Sequence, residues 1–362
     1  MEVTDFIEID GSYLEGGGQS LRNALSLSCI LSKPVRVVNI RANRPKPGLS
    51  HQHLQGVNLL RDITNADVVG NTLFSTQLEF SPRAVRNDSY RVETRTAASI
   101  TLIYQMALPV LLFAARSSRV DVTGGTNVAF APQIEYMQQV LLPNLKRFGI
   151  HAELKILHYG FYPRGNGRCL LELLPIRRVE PAQFVDFGEL DDVKGYAFCA
   201  GRLPRSIAMD MQQTAQREIH RLWPYNDCTI TVVKHPVDKA RDNGAGIIMT
   251  ARTTTGCVLG TATLGEKKVD GHVLGSDASC QLVEYLRKEI CVDAHMQDQL
   301  IIYMSMANGV STIRTGPLTK HTRTAIHVAE KMTGVKFEVE VEPSGLTRVS
   351  CHGLGCVNRF LL

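Results

Sequence analysis

The chain has 362 residues, of which 44% are hydrophobic and 21% carry a charge. This composition supports one large hydrophobic core or two smaller ones, and it excludes a chain that is disordered throughout. The net charge of +5 permits a polyanionic partner but does not require one, because domains that bind nucleic acid strongly are usually more basic.

The sequence predicts a protein that does not enter a membrane and keeps its cysteines reduced. The longest apolar run, residues 106–115, is too short to span a bilayer. The acidic N-terminal segment MEVTDFIEIDG lacks the apolar stretch of a signal peptide. The nine cysteines are an odd and scattered set, which is typical of free thiols in the cytosol or nucleus.

The first predicted element is a strand at residues 6–10, which leads into the segment EGGGQ at 15–19 and then into a helix. Three glycines allow backbone amides to approach an anion closely, and a helix start adds partial positive charge. Glu15 could hold a divalent metal ion that bridges phosphates. A tight turn without a ligand is the alternative, and the spacing does not match the loop of P-loop NTPases.

Three segments then share an order of helix, strand, loop, helix and returning strand. Apolar residues three and four apart, as at Leu54, Val57 and Leu60, predict the helices, and β-branched runs predict the strands. The first segment comprises 21–31, 35–40, 41–50, 51–63 and 66–69. The second comprises 97–115, 119–122, 123–131, 132–148 and 151–158. The third comprises 299–306, 311–314, 315–320, 321–332 and 335–341.

Residues 184–280 interrupt this pattern with an α+β sequence of domain size. The elements predicted there are a strand at 196–200, a helix at 206–222 and strands at 229–233, 246–252 and 257–264. We therefore predict three parts: a repeat domain of residues 1–183 and 281–345, an inserted α/β domain of 184–280, and a C-terminal tail of 346–362 that packs on the core.

The strand-to-helix loops of the three segments are expected to meet at one end of the sheets, where α/β proteins bind ligands. Their sequences are RANRPKPGLSH, TGGTNVAFAP and TGPLTKH. The first loop and its neighbours carry side chains that suit phosphate groups, namely Arg22, Arg41, Arg44 and Lys46, with Gln52 and His53. A solvated basic face is the alternative interpretation.

His321 ends the third loop, between Lys320 and Arg323. A neutral imidazole there could attack an α-phosphorus and form a phosphoramidate. The neighbouring cations would lower the pKa of His321 and would balance charge on the phosphoryl group. From these residues alone, a structural or surface histidine stays open as the other interpretation.

Taken together, the motifs resemble the RNA 3′-terminal phosphate cyclase family over nearly the whole chain. They are EGGGQ at 15–19, RANRPKPGL at 41–49 with QH at 52–53, GGTN at 124–127, GFYPR at 160–164, DQ at 298–299 and PLTKH at 317–321. The resemblance implies ATP-dependent conversion of an RNA 3′-phosphate into a 2′,3′-cyclic phosphodiester, through a histidine–AMP intermediate and an RNA-3′-phosphate adenylate.

The resemblance also implies an α+β fold with three repeats of a unit that has two helices and a four-stranded sheet. This unit is similar to the C-terminal domain of translation initiation factor 3, and a smaller α/β domain is inserted. ATP is the implied substrate, Mg²⁺ or Mn²⁺ the implied metal ion, and RNA 3′ ends the implied partners. We further expect a monomer or homodimer in the nucleus, with the cytoplasm as a second compartment.

Carried over residue by residue, the resemblance makes His321 the nucleophile and Glu15 a metal contact. The residues placed around the nucleotide are Gln105, Pro132, His295, Asp298 and Gln299. The residues placed around the RNA phosphate are Arg22, Arg41, Arg44, Gln52 and His53. The family commonly has a tyrosine at the position of His295, so an imidazole would have to take over stacking on adenine.

Two other classes of protein stay open from the sequence. A branch of the family acts in ribosome assembly without nucleotidyl transfer, and its members lack the histidine of the third loop. Enolpyruvyl transferases have a related repeat architecture, and the arginine loop could suit a phosphorylated metabolite. The presence of His321, Glu15 and the pair Asp298 and Gln299 favours the enzyme that uses ATP.

Overall fold

The computed structural model describes residues 5–224 and 228–361, with the side chain of Leu222 left out. Within these residues the strands form four sheets of four strands each. The class is therefore mixed α+β, as expected. The bounds of the elements, in chain order, show how the sheets position the site.

The first sheet is built from residues 7–81. Its elements are β1 (Ile7–Asp10), α1 (Gln19–Leu31), β2 (Val35–Val38), α2 (His51–Thr64), β3 (Asp67–Val69) and β4 (Leu78–Ser81). The strand order is β1-β2-β4-β3. β1 runs parallel to β2, and the other two pairs are antiparallel.

The second sheet has the same order and the same pairing, β5-β6-β8-β7. Its elements are β5 (Ser89–Glu93), α3 (Ile100–Leu111), β6 (Ser118–Gly124), α4 (Ile134–Tyr136), a π-helical turn (Met137–Leu141), α5 (Leu142–Leu145), a 3₁₀ turn (Lys146–Phe148), β7 (Ala152–His158) and β8 (Gly167–Leu173). The helix expected at 132–148 is irregular because Pro143 has no backbone N–H to donate to the preceding turn.

A short strand and then the inserted unit follow. The elements are β9 (Gln183–Phe184), β10 (Leu190–Ala200), α6 (Ser206–Leu222), β11 (Cys228–Lys234), β12 (Gly244–Thr253), β13 (Val258–Leu264) and α7 (Gly271–Arg287). The inserted sheet has the order β11-β10-β12-β13. α6 and α7 pack on each other and on this sheet.

The third sheet is completed after the insertion. Its later elements are α8 (Gln297–Met306), β14 (Val310–Thr315), α9 (Lys320–Thr333), β15 (Phe337–Val341) and β16 (Thr347–His352). The strand order is β9-β14-β16-β15, with β9 parallel to β14 and the other pairs antiparallel. The three sheets on either side of the insertion thus share one order and one pattern of pairing.

Three elements differ from expectation, while the domain limits themselves stay a prediction. Residues 347–352, which we expected in a tail, form β16 and pair with β14 along six residues. Phe184, expected to open the insertion, pairs with Ile313 in the third sheet. Helix α7 continues past residue 280 to Arg287. The sequence of β16 buries alternate residues, Thr347, Val349 and Cys351, and this alternation is the signal of a strand.

The helices of the three outer units pack face to face. α1 packs against α3 and α9, and α8 packs against α3 and α9. Every residue of α3 except Gln105 is buried, because α1, α2, α8, β6 and β8 surround this helix. The described residues include no helix that is long and apolar enough to cross a membrane. All nine cysteines are free thiols.

Candidate functional site

His321 lies in the first turn of α9, and hydrogen bonds fix the start of this helix. The hydroxyl of Thr319 accepts the backbone N–H of Thr322 at 3.1 Å, which caps the helix. The buried side chain of Gln297 accepts the Thr319 N–H at 2.9 Å and the Thr322 hydroxyl at 2.6 Å. The backbone that carries His321 is therefore held from both sides, while its ring remains accessible to solvent.

One buried amide joins His321 to two other helix starts. Gln19 is the first residue of α1 and is 3% exposed. Its Oε1 lies 2.9 Å from Nδ1 of His321, and its Nε2 donates a hydrogen bond to Oδ2 of Asp298, in the first turn of α8. The starts of α1, α8 and α9 thus meet at Gln19. Helix starts carry partial positive charge, so this meeting point suits an anion.

The surroundings of His321 lower its pKa. Burial is the largest cause, Glu15 opposes it, and Arg22, Arg44 and His295 add to it. Lowering was expected, but from Lys320 and Arg323. Both of these side chains are exposed, where water screens their charge, so burial and the two arginines of the first unit take their place. The lowered pKa favours the neutral ring of His321 at neutral pH.

Asp298 has the opposite shift. Burial raises the pKa of its carboxyl group to about 7, against the effects of Arg22 and of the hydrogen bond from Gln19. A carboxyl group that titrates near neutrality beside a helix start is typical of functional sites.

Glu15 lies next to this centre with a side chain that is 6% exposed. Its Oε2 accepts the N–H of Gly17 at 2.7 Å, and its Oε1 pairs with the guanidinium group of Arg44. A Cβ atom on Gly17 would lie 2.0 Å from Oε1 of Glu15, and one on Gly18 would lie 2.1 Å from Nε2 of His53. These glycines therefore make room for side chains of the site.

The residues around Glu15 fit a divalent metal ion as a single carboxylate ligand. Mg²⁺ is often held by one or two carboxylates together with substrate phosphates. Glu15 belongs to no cluster of three possible ligands in the part of the chain that the structure describes. Such a cluster lies in the inserted unit, where Asp210, Asp270 and His272 bring their ligand atoms within 4.8 Å of one another.

The basic side chains of the first unit have different environments. Arg41 donates to the carbonyl groups of Lys46 at 2.9 Å and Gly48 at 2.8 Å, so it closes its own loop. Arg44 is exposed and reaches Glu15. Burial lowers the pKa of Arg22, which Asp298 and Glu15 oppose.

His53 is almost completely buried behind these arginines. Its Nδ1 shares a hydrogen bond of 2.6 Å with the hydroxyl of Ser50. Burial lowers the pKa of His53 to about 3, and Arg22 and Arg41 contribute. His53 is therefore neutral throughout the physiological pH range.

Three of the residues expected around the nucleotide, Gln105, Gln299 and His295, form a chain of contacts between α3 and α8. Nε2 of Gln105 donates to Oε1 of Gln299 at 2.8 Å, and Nε2 of Gln299 donates to the carbonyl of His295 at 2.6 Å. The His295 ring is exposed and meets Tyr136 edge to face, with ring centroids 6.1 Å apart. An exposed imidazole at this point has a free face for a planar ligand.

Gln52 and Pro132 lie together at the start of α3. Oε1 of Gln52 accepts the N–H of Ser99 at 3.1 Å, and the Ser99 hydroxyl shares a hydrogen bond of 2.8 Å with that of Thr101. The Thr101 hydroxyl donates to the carbonyl of Pro132 at 2.9 Å. These contacts link the first loop to the second, without a direct hydrogen bond to His321.

The segment at 160–167 contacts the inserted unit. Phe161 is buried and stacks on Phe198 with centroids 5.9 Å apart, whereas Tyr162 is 80% exposed. Arg164 pairs with Asp242 at 2.6 Å. Of the two aromatic side chains in this segment, only Tyr162 has an accessible ring.

The structure thus gathers His321, Glu15, Arg22, Arg44 and Asp298 around Gln19, with the remaining expected residues at its edge. Sequence reasoning did not assign a role to Gln19. Its signal was present, because it ends the EGGGQ motif at the start of a helix. No local pattern in the sequence indicated that the side chain of Gln297 would hold the start of α9.

Comparisons with known proteins assign the class. Residues 13–339 match the model of the family described as RNA 3′-terminal phosphate cyclase. A Drosophila melanogaster protein of that name is 66% identical over 361 residues, which is 100% of both chains. A Pyrobaculum aerophilum protein of that name is 36% identical over 349 residues, covering 96% of this chain and 99% of the relative.

The chain therefore belongs to the RNA 3′-terminal phosphate cyclase family. The resemblance noted from the motifs and the prediction of an enzyme of the cyclase class are confirmed.

Proposed function

We propose that the protein uses ATP to convert an RNA 3′-phosphate into a 2′,3′-cyclic phosphodiester, and that His321 carries AMP between the two substrates. One observation carries the proposal: Nδ1 of His321 is held by Gln19 at 2.9 Å, while burial and nearby arginines keep the ring neutral. Its Nε2 is then an accessible nucleophile in a cationic site. The names of the relatives supply the RNA substrate.

In the first step, Nε2 of His321 attacks the α-phosphorus of ATP, and pyrophosphate leaves with the electron pair of the broken P–O bond. A neutral imidazole is required, because a protonated ring has no free electron pair. Arg22 and Arg44 lie where they can balance charge that develops on the phosphoryl oxygens. A divalent ion at Glu15 would supply further neutralisation of the triphosphate when bound.

In the second step, an oxygen of the RNA 3′-phosphate attacks the AMP phosphorus and releases His321. In the third step, the adjacent 2′-oxygen attacks the RNA phosphorus, its proton is given up, and AMP leaves. Activation by AMP is needed because a bare phosphate oxygen is a poor leaving group, whereas AMP is a good one. Arg22, Arg41 and Arg44 would hold the RNA phosphate, with Gln52 and His53 next to it.

On this proposal the enzyme recognises the chemistry of the RNA end, with little preference for the sequence of the RNA body. RNAs with identical ends and different sequences should turn over at similar rates, and widely spread rates would count against end recognition. A nuclear location and the state of assembly stay predictions.

The architecture is proposed to be three repeats of one β-α-β-α-β-β unit, with the third opened by the insertion. The shared strand order and pairing of the three outer sheets support this proposal. The inserted unit contacts Phe161 and Arg164 of the second repeat. On this proposal the inserted unit stabilises the position of the second loop, residues 123–131.

Incubation with ATP labelled on the α-phosphate tests the function. We expect an AMP–protein bond that is labile to acid and sensitive to hydroxylamine, and that His321→Ala abolishes. His327→Ala is the matched control, because His327 lies on the same helix and stacks on Tyr13 with centroids 4.0 Å apart. Unlabelled wild-type protein would refute the proposal and favour the assembly-factor branch of the family.

A further inference from the structure

We propose that Gln19 is a positioning residue, which fixes His321 in the tautomer with hydrogen on Nδ1 and thereby leaves the electron pair of Nε2 free for phosphorus. The catalytic role of this tautomer rests on the proposed function, but the tautomer itself can be measured without ATP.

The orientation of the Gln19 amide decides the tautomer. Its Nε2 faces Oδ2 of Asp298, and its Oε1 faces Nδ1 of His321 at 2.9 Å. When Asp298 is ionised, as at pH 8, a reversed amide would set its oxygen against a carboxylate oxygen, and neither of these atoms could donate. Since a carbonyl oxygen only accepts, Nδ1 of His321 must carry the hydrogen. Asp298 therefore selects the tautomer of His321 through Gln19.

The hydrogen-bonded chain of Asp298, Gln19 and His321 has little mobility, because each of these residues lies at the start of a packed helix. Gln19 is buried in the first turn of α1, Asp298 lies in the first turn of α8, and His321 lies in the first turn of α9. Helix α9 packs on both α1 and α8, so the three side chains project from packed helices. A site on packed helices holds a reacting atom more closely than a site on loops.

A neutral amide suits a nucleophile better than a carboxylate would. In a serine hydrolase, an aspartate orients a histidine that begins with a free electron pair on Nε2 and becomes positively charged as a base. The proposed His321 must likewise begin without a proton on Nε2, but as a nucleophile it is blocked if a proton takes that electron pair first. A carboxylate at Nδ1 would favour the doubly protonated ring, whereas an amide oxygen orients the ring without adding a charge.

The reaction balances without a proton leaving the ring. The electron pair of Nε2 forms the N–P bond, the bond from the α-phosphorus to the bridging oxygen breaks, and pyrophosphate takes that electron pair. The ring becomes positively charged while Nδ1 keeps its hydrogen. The hydrogen bond to Oε1 of Gln19 then becomes charge-assisted and strengthens.

Nitrogen-15 NMR of histidine-labelled protein at pH 8 tests the tautomer, with the His321→Ala spectrum assigning the signal. We expect hydrogen on Nδ1 in the wild type and mainly on Nε2 in Gln19→Met, which is close in size but has no carbonyl. Single-turnover adenylation by Gln19→Met should fall about 100-fold, with apparent ATP affinity within about threefold. Gln138→Met removes a glutamine remote from the site and should match the wild type in both measurements.

Gln19→Glu keeps an acceptor at the same place, and it provides a second test if Gln19→Met fails to fold. We expect it to retain hydrogen on Nδ1 and to need a higher pH for half-maximal adenylation, because the added charge stabilises the protonated ring. A merely structural role for Gln19 would leave the tautomer of His321 unchanged in Gln19→Met.

The proposal is overturned if Gln19→Met keeps hydrogen on Nδ1, or if it is adenylated at the wild-type rate. The two proposals can also fail separately. If Gln19→Met changes the tautomer but the wild type takes up no AMP, Gln19 does fix the ring of His321 and the proposed function is refuted.

Discussion

The hydroxyl of Tyr136 donates a hydrogen bond of 2.7 Å to Oδ1 of Asp293, which joins the second sheet unit to the turn before α8. The same buried carboxylate accepts the N–H groups of His295 at 2.9 Å and Met296 at 3.0 Å on Oδ1, and that of Gly260 at 2.9 Å on Oδ2. Gly260 belongs to β13 of the inserted unit. Asp293 therefore links two units of the fold to the turn that presents His295.

Asp293→Ala removes an acceptor from four donors, of which the Met296 N–H keeps a second partner, the carbonyl of residue 293 at 3.1 Å. It should lower the free energy of unfolding by about 2–4 kcal/mol. Tyr136→Phe removes one donor and should cost about 1 kcal/mol. Urea denaturation measures both. In the folded fraction, we expect Asp293→Ala also to weaken ATP binding, because His295 loses its support. An equal loss in the free energy of unfolding for the two variants would contradict the role of Asp293 in linking these units.

His53 should make the protein less stable in acid. The pKa of its ring is lowered to about 3, below the ordinary value of about 6.5. Between these values the unfolded chain binds more protons than the folded chain, so the free energy of unfolding falls as the pH falls. From pH 6.5 to pH 5 this residue accounts for up to about 2 kcal/mol, at 1.36 kcal/mol per pH unit.

His53→Gln should remove that part of the pH dependence, measured as the difference in urea denaturation from the wild type at pH 7.5 and pH 5. Ser50→Ala takes away the partner of the ring but not the ring itself, so its acid sensitivity should persist. If the free energy of unfolding changes with pH equally in His53→Gln and in the wild type, the pKa of His53 is the same in the folded and unfolded states, and the prediction is wrong.

Phe130 stores backbone strain on the surface. Its φ is 62° and its side chain is fully exposed, so the left-handed conformation has a cost without a packing gain. Asparagine tolerates this conformation, and Phe130→Asn should raise the free energy of unfolding by about 0.5–1 kcal/mol. The buried Phe161 is the contrast, since Phe161→Ala should cost about 3–5 kcal/mol. A destabilised Phe130→Asn would reveal contacts for this ring that the structure does not show.

On the proposal that Glu15 holds a metal ion, Arg44 would compete with that ion, because its guanidinium group pairs with Oε1. Arg44→Gln should lower the Mn²⁺ concentration that gives half-maximal label from ATP by about threefold to tenfold, as one competing charge is removed. The amplitude of labelling is expected to fall as well, since a phosphate donor is lost. Arg61→Gln, which breaks an exposed pair with Asp62, is the control. A higher Mn²⁺ requirement in Arg44→Gln would contradict competition.

Local signals predict much of the helical structure. Helix α6 spans the expected 206–222, and α2 and α9 agree with expectation to within one residue at each end. Helix α7 escapes prediction because its glycines lower helix propensity. Gly275 is there for a tertiary reason, since a Cβ atom on it would lie 2.4 Å from the carbonyl oxygen of Met211 in α6.

The chemical types in the site were visible in the sequence, but their partners were not. His321, Glu15 and the arginines stand out because charged residues beside glycine and proline turns are local patterns. That Arg22 and Arg44, and not Lys320 and Arg323, set the charge around His321 depends on how α1 and α9 pack.

By itself, the sequence determined much of the helical structure, the absence of disulfide pairing among the described cysteines and the set of residues able to bind phosphate. Periodicity, turn residues and side-chain chemistry are local properties, which depend on only a few neighbouring positions. Only the tertiary structure decided which of these residues act together. Gln19 meets His321 across 302 positions of the chain, and a hydrogen bond of that span exists only because packed helices bring two distant starts to one point.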